Sequence, residues 1–232
     1  MQVEIFSDVV CPWCYIGKRR FEQALERFPH AGEVQVTWRS FELDSAAPRG
    51  TGGPTLPALA RKYGMTQAHA AEMQAHMTEV AAEVGLEFHL DLTRKGNTVD
   101  AHRLLHLAAE HGVQGQVKER LLKAYFTEGR PVFTHADLAR LGAEAGLDAD
   151  VAARALADGS YATEVAADLD LARSFGISGV PFFVVDRAYG VSGAQPAQAL
   201  LQVLEQAWAA SHPLTMVSTG SGGTCDDGSC VV

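Results

Sequence analysis

Gln2-Val3-Glu4-Ile5-Phe6-Ser7-Asp8-Val9-Val10-Cys11-Pro12-Trp13-Cys14-Tyr15-Ile16-Gly17 is the stretch that decides the fold of this chain. Gln2 to Ser7 reads as a buried strand, and from Trp13 to about Phe28 apolar residues recur at Ile16, Phe21, Leu25 and Phe28 with helical spacing. Two cysteines therefore stand where a strand hands over to a helix. Val34 to Trp38 alternates with period two and continues to about Leu43, so strand, turn, helix and strand make an opening βαβ unit.

The junction suits thiol chemistry. A cysteine exchanges disulfides as its thiolate, which needs a lowered pKa and access. Unpaired N–H groups and the positive end of a helix dipole favour an anion at Cys11, and Pro12 fits the first helical turn because no N–H is needed there. Cys14, one turn on, is placed to attack a mixed disulfide at Cys11 and free the substrate. Cys11 is therefore the expected nucleophile and Cys14 the resolving thiol. The same spacing occurs in zinc sites, but zinc needs a third and fourth ligand at short spacing and none lies nearby, so no metal and no cofactor is expected.

Working outward, a turn-rich break from Ser45 to Pro57 is followed by an Ala, Leu, Glu and Arg rich stretch from about Leu56 to Phe175. Thr66, Thr134, Asp148 and Ser160 are its expected helix starts. Strand character returns at Pro181 to Val185, with a turn at Asp186-Arg187, a second strand from Ala188 to Val191 and a helix from Pro196 to about Ala210. The expectation is an α/β fold in which residues 1–50 and 172–211 build one discontinuous sheet domain. Residues 51–171 form an all-helical insertion and residues 212–232 a flexible tail.

The chain has 232 residues, 47% of them hydrophobic, and a formal charge of −9. That balance argues against nucleic acid or anionic lipid as a partner, since both select clustered Lys and Arg. No window is apolar enough to span a bilayer, and Met1 to Ile5 lacks a basic start before an apolar run, which gives the cytoplasm as the expected compartment. Four cysteines fall into two close pairs, Cys11 with Cys14 and Cys225 with Cys230. In a reducing compartment such pairs mean redox chemistry or metal binding.

Three segments, Phe6 to Gly17, Asn97-Thr98-Val99-Asp100-Ala101-His102-Arg103-Leu104 and Ile177-Ser178-Gly179-Val180-Pro181-Phe182-Phe183, together resemble the DsbA-like thioredoxin superfamily, specifically its FrnE-like cytoplasmic branch. The resemblance implies a thioredoxin fold with a large helical insertion. It also implies a cis Pro181 facing the cysteines, with the Val180 backbone free to pair with an extended substrate. The implied activity is disulfide reduction or isomerisation on protein thiols and disulfides, with a low-molecular-weight thiol or a thioredoxin-type protein as reductant.

Two departures stand out. Relatives often carry a buried carboxylate six residues before the first cysteine, as proton acceptor for the resolving thiol, and that residue here is Ile5. Glu4, Asp8 and Glu42 are the alternatives. Trp13 replaces the histidine of strongly oxidising relatives and brings no positive charge, so the disulfide should be less oxidising. The same fold branch resembles glutathione-dependent 2-hydroxychromene-2-carboxylate isomerases, which place serine where Cys11 stands. A further reading is a stoichiometric redox sensor or soft-metal binder using both cysteine pairs.

Cys225-Asp226-Asp227-Gly228-Ser229-Cys230 reads as a second redox pair, with thiols made sluggish by the two aspartates, that exchanges disulfides with Cys11 and Cys14 in cis or from a neighbouring molecule; the alternative is a dispensable tail with two incidental cysteines. His102 and His106 have metal-ligand spacing without the glutamate of a zinc peptidase, and are expected in the core or at the surface. Asn97 and Thr98 are read as a helix cap.

Overall fold

The structure is a computed structural model and describes residues 1–213; Cys225 and Cys230 lie outside the described residues. Strand β1 (Gln2–Ser7) is followed by helix α1 (Pro12–Arg27) and strand β2 (Gln35–Ser40). Strands β3 (Phe182–Val185) and β4 (Tyr189–Ser192) and helix α9 (Ala197–Ser211) come last. The sheet order is β2-β1-β3-β4, with β1 and β2 parallel and the other pairs antiparallel. Asp186 and Arg187 both take positive φ, 48° and 53°, which closes the β3–β4 hairpin in two residues.

The period-two rule explains the central strand. Val3 and Ile5 face α1 and α9, packing with Phe21, Phe183, Leu200 and Leu204. Phe6 faces the other way, against Ala172, Ile177 and Val184. On that second face Glu4 is also buried, and its carboxylate is held by Arg39 at 2.6 Å and Arg187 at 2.8 Å.

Between β2 and β3 lie seven helices: α2 (Thr55–Tyr63), α3 (Gln67–Ala82), α4 (Val99–Glu110), α5 (Gln114–Phe126), α6 (His135–Glu144), α7 (Ala149–Ala157) and α8 (Ala162–Ser174). Their core is continuous with α1, because Tyr15 and Ile16 pack in one cluster with Leu104, Leu121, Phe126 and Leu138. The helical layer thus rests directly on the helix that carries Cys14.

Local chemistry sets most boundaries. Thr66, Thr134 and Asp148 each accept a backbone N–H from the first turn of α3, α6 and α7. Ser160 does not cap α8; Tyr161 does, at φ 65°, while the Ser160 hydroxyl donates back to Asp158. For α4 the cap side chain is Asn97, whose Oδ1 accepts the Val99 N–H at 3.0 Å, and Thr98 only occupies the cap position. β2 stops at Ser40, short of the expected Leu43, since the Leu43 N–H turns to the Asp8 carboxylate instead of a strand partner. Position 172, the expected return to the sheet domain, falls inside α8.

Candidate thiol-disulfide site

Cys11 is the N-cap of α1 and Pro12 its first residue, so β1 delivers the cysteines to one end of the central strand. The Cys14 N–H donates to the Cys11 carbonyl at 3.0 Å, making the first turn. Both cysteines are reduced thiols and both are buried, with 3% of Cys11 and 1% of Cys14 exposed. Cys11 lines an open groove of about 430 Å³ together with Pro12, Trp13 and Val180; Cys14 lies behind it. Access therefore belongs to Cys11.

The Val180–Pro181 peptide bond is cis, and the Cys11 thiol donates to the Val180 carbonyl at 3.6 Å. The Pro181 carbonyl accepts the Gly193 N–H at 2.8 Å, which ties the turn before β3 to the end of β4. Gly17, inside α1, makes this approach feasible: a Cβ there would stand 2.8 Å from Pro181 Cγ. A helix-interior glycine costs about 1 kcal/mol relative to alanine, and here the close packing on Pro181 accounts for it.

Beneath the cysteines lies a polar cluster. Asp8 is fully buried; one oxygen accepts the Val9 N–H at 2.7 Å and sits 3.3 Å from His102 Nε2, and the other accepts the Leu43 N–H at 2.8 Å. Burial pushes its pKa up, but His102, the Leu43 N–H and Lys118 outweigh burial and hold the carboxyl below its ordinary value. His102 is also fully buried and its Nδ1 has no partner. His106 instead reaches Asp168 at 3.0 Å, and no cluster of metal-ligating side chains occurs among the described residues.

The two thiols shift each other in opposite directions. The hydrogen bond with Cys14, then burial, push Cys11 well above the ordinary thiol range. Cys14 is raised by burial, but the bond from Cys11, the Lys118 charge and the Ser7 hydroxyl bring it below that range. The surroundings of Cys11 thus push its thiol up rather than down, and the charge of buried Lys118 acts most strongly on Cys14.

Of the proposed proton acceptors, Glu4 is engaged by two arginines and Ile5 is wholly apolar in its surroundings. Glu42 is half-buried, is raised by burial and accepts from Asn97 Nδ2 at 3.3 Å. Asp8 alone is set among buried groups that act on the cysteines. Lys118 was not legible as a site residue, because Gln-Val-Lys-Glu-Arg reads as the solvated face of a helix. The groove walls were also missed: Leu43, Tyr63 and Met73, exposed and apolar, come from three separate segments.

The sequence profile of the DSBA-like thioredoxin domain matches residues 2–205. The chain belongs to that family. The probable DsbA oxidoreductase SCO1869 of Streptomyces coelicolor superposes with a TM-score of 0.88 at 44% identity, covering 100% of this chain and 99% of its own. YwbO of Bacillus subtilis (strain 168) is 26% identical over 152 residues, 64% of this chain and 68% of YwbO. The cytosolic disulfide reductase DsbM of Pseudomonas aeruginosa shares the DsbA-like fold at a TM-score of 0.63 and 19% identity, covering 90% of this chain and 100% of its own. DsbA-like family membership carries thiol-disulfide oxidoreductase chemistry. No helix among the described residues is long and apolar enough to cross a membrane.

Proposed function

We propose that this chain is a cytoplasmic reductase and isomerase of protein disulfides, in the manner of the FrnE-like branch, working through Cys11 and Cys14. The observation that carries the reading is that Cys11 lines the groove beside the cis Val180–Pro181 bond while Cys14 lies behind it. A substrate disulfide in the groove meets Cys11 first. The proton shared by the two sulfurs passes from Cys11 to Cys14 as the Cys11 thiolate attacks; a Cys11–substrate disulfide forms and one substrate thiolate leaves. Cys14 then attacks Cys11, the mixed disulfide breaks and the second substrate thiolate departs.

Pro12, Trp13, Val180 and Pro181 frame that exchange. Trp13 and Tyr63 expose 39% and 56% of their surface, which suits an extended substrate segment with apolar side chains. Lys62 and Arg94 on the same walls complement carboxylates, whether of an acidic peptide or of a low-molecular-weight thiol acting as reductant. DsbM of Pseudomonas aeruginosa has been solved with glutathione at a TM-score of 0.62, which supports a reductant of that class. A thioredoxin-type protein is the other reductant in keeping with this chemistry. The discontinuous arrangement, 1–50 with 172–211 around a 51–171 insertion, and a second redox pair at Cys225 and Cys230 complete the proposal.

The test is dithiol-dependent insulin reduction together with refolding of scrambled ribonuclease. Intact protein, Cys11→Ser and a chain ended at Ser211 are compared. Both activities in the intact protein and neither in Cys11→Ser are expected. A rate change on truncation assigns the tail pair a regulatory part. Turnover of neither substrate by intact protein overturns the reading.

A further inference from the structure

The second half of the exchange needs Cys14 as its thiolate. Once Cys11 is tied up in a mixed disulfide, that thiolate must be stabilised inside the protein, and Ile5 offers no group to do it. Lys118 is a cation whose charge acts on Cys14. It is fully buried on α5, its Nζ donates to the Ser7 carbonyl at 3.5 Å and lies 5.4 Å from the Trp38 ring. Among the described residues no carboxylate comes within salt-bridge distance, 4.0 Å, of that nitrogen. A buried lysine without a carboxylate partner is costly and calls for a reason.

Its position is fixed by the fold. One turn earlier on the same helix face, Gln114 bonds both backbone groups of Trp38, accepting its N–H at 2.9 Å and donating to its carbonyl at 3.0 Å. This clamps α5 to the edge strand β2 and places Lys118 behind Ser7, whose hydroxyl acts on Cys14. The charged and titratable groups acting on Lys118 are Cys14, Asp8 and Cys11, with Lys18 from α1 opposing them. Asp8 is in turn faced by His102 from α4.

Resting on the oxidoreductase reading above, we propose that Lys118, supplied by the helical insertion, is the buried cation that holds Cys14 as its thiolate for the second exchange. In the mixed disulfide the Cys14 proton leaves to water and the Lys118 ammonium balances the thiolate left behind. The electron pair left on Cys14 forms the bond to Cys11, and the pair of the broken Cys11–substrate bond leaves on the substrate sulfur. Burial holds the lysine at about 8, so at neutral pH it is mostly the ammonium that a thiolate at Cys14 needs. Lys118 acts through Cys14 and is a positioning residue, not one that touches substrate.

The test isolates Cys14 in a Cys11→Ser background and follows thiolate ultraviolet absorbance against pH, with Lys118 intact and as Lys118→Met or Lys118→Gln. Removing the nearby positive charge should lower the thiolate-to-thiol ratio at neutral pH at least about tenfold. In the two-cysteine protein, rapid-mixing kinetics on a glutathione mixed disulfide should show resolution slowed about tenfold relative to attack, with its pH profile displaced upward. Both substitutions remove a buried charge that has no carboxylate within 4.0 Å among the described residues, and are expected to fold. A check that keeps the lysine uses nuclear magnetic resonance of its side chain, which should titrate lower in Cys14→Ala. Unchanged Cys14 and Lys118 titrations overturn the assignment even if insulin is reduced; shifted titrations in a protein that does not reduce insulin uphold it while the oxidoreductase reading falls.

Discussion

Replacing Asp8 with alanine should cost this protein much of its stability. The carboxylate is fully buried and accepts two backbone N–H groups, Val9 at 2.7 Å and Leu43 at 2.8 Å, besides facing His102 at 3.3 Å. Each buried donor left without an acceptor costs about 1–3 kcal/mol, and His102 loses the carboxylate it faces at 3.3 Å. The total expected loss is about 3–5 kcal/mol, a large part of the 5–15 kcal/mol typical of a folded domain. Urea unfolding of the reduced protein, followed by circular dichroism at neutral pH, reads this directly. The sign of the pH dependence is also fixed: the Asp8 carboxyl is held below its ordinary 3.8, so its contribution is present above about pH 4 and fades as pH falls through the folded value. The gap between intact and Asp8→Ala protein should therefore narrow in acid. A loss below about 1 kcal/mol at neutral pH, or a gap that does not change with pH, would refute the account of Asp8 as the polar keystone under the cysteines.

Gly17→Ala places a Cβ 2.8 Å from Pro181 Cγ, so a stability loss of about 1–3 kcal/mol and slowed insulin reduction are expected; a melting temperature and rate equal to the parent's would show that Pro181 yields freely. Glu4 is held below its ordinary 4.5, first by the hydrogen bond from Arg187 and then by Arg39 against the opposing effect of burial. Glu4→Gln should therefore lower stability at neutral pH and converge on the parent as pH falls through the lowered folded value, which an acid unfolding series checks. Tyr63→Ala should raise KM for insulin several-fold with an unchanged melting curve, because the ring is 56% exposed on the groove wall; an unchanged KM removes that wall from the substrate site. Lys62→Glu combined with Arg94→Glu should weaken glutathione as reductant more at low salt than at high salt, measured as the rate at fixed thiol concentration.

The β1–α1 junction was legible because its signals are local: an apolar run, two cysteines, a proline at the first helical position and a helical spacing beyond it. The hairpin and last helix were read for the same reason, and the positive φ of Asp186 and Arg187 is what the turn at those residues demands. Ser160 misled because a serine ahead of a helix is a common cap, whereas Asp158 captures its hydroxyl and amide two residues away. The site divides along the same line. Cys11, Cys14, Pro12 and Trp13 are consecutive, and Val180 and Pro181 came with the family likeness. Lys118, the groove walls and the surroundings of the two thiols depend on which helix packs behind the sheet, and no spacing rule encodes that. Gly17 did leave a signal, since a glycine in the middle of an amphipathic helix asks what comes close to it.

The most direct measurement is to trap the first intermediate. Cys14→Ser protein, incubated with a peptide disulfide and mapped by mass spectrometry, should hold the peptide on Cys11 in a mixed disulfide that persists until reductant is added. Failure to form that adduct, or its appearance on Cys225 or Cys230 with Cys11 free, would contradict the claim that Cys11 is the sulfur that meets substrate.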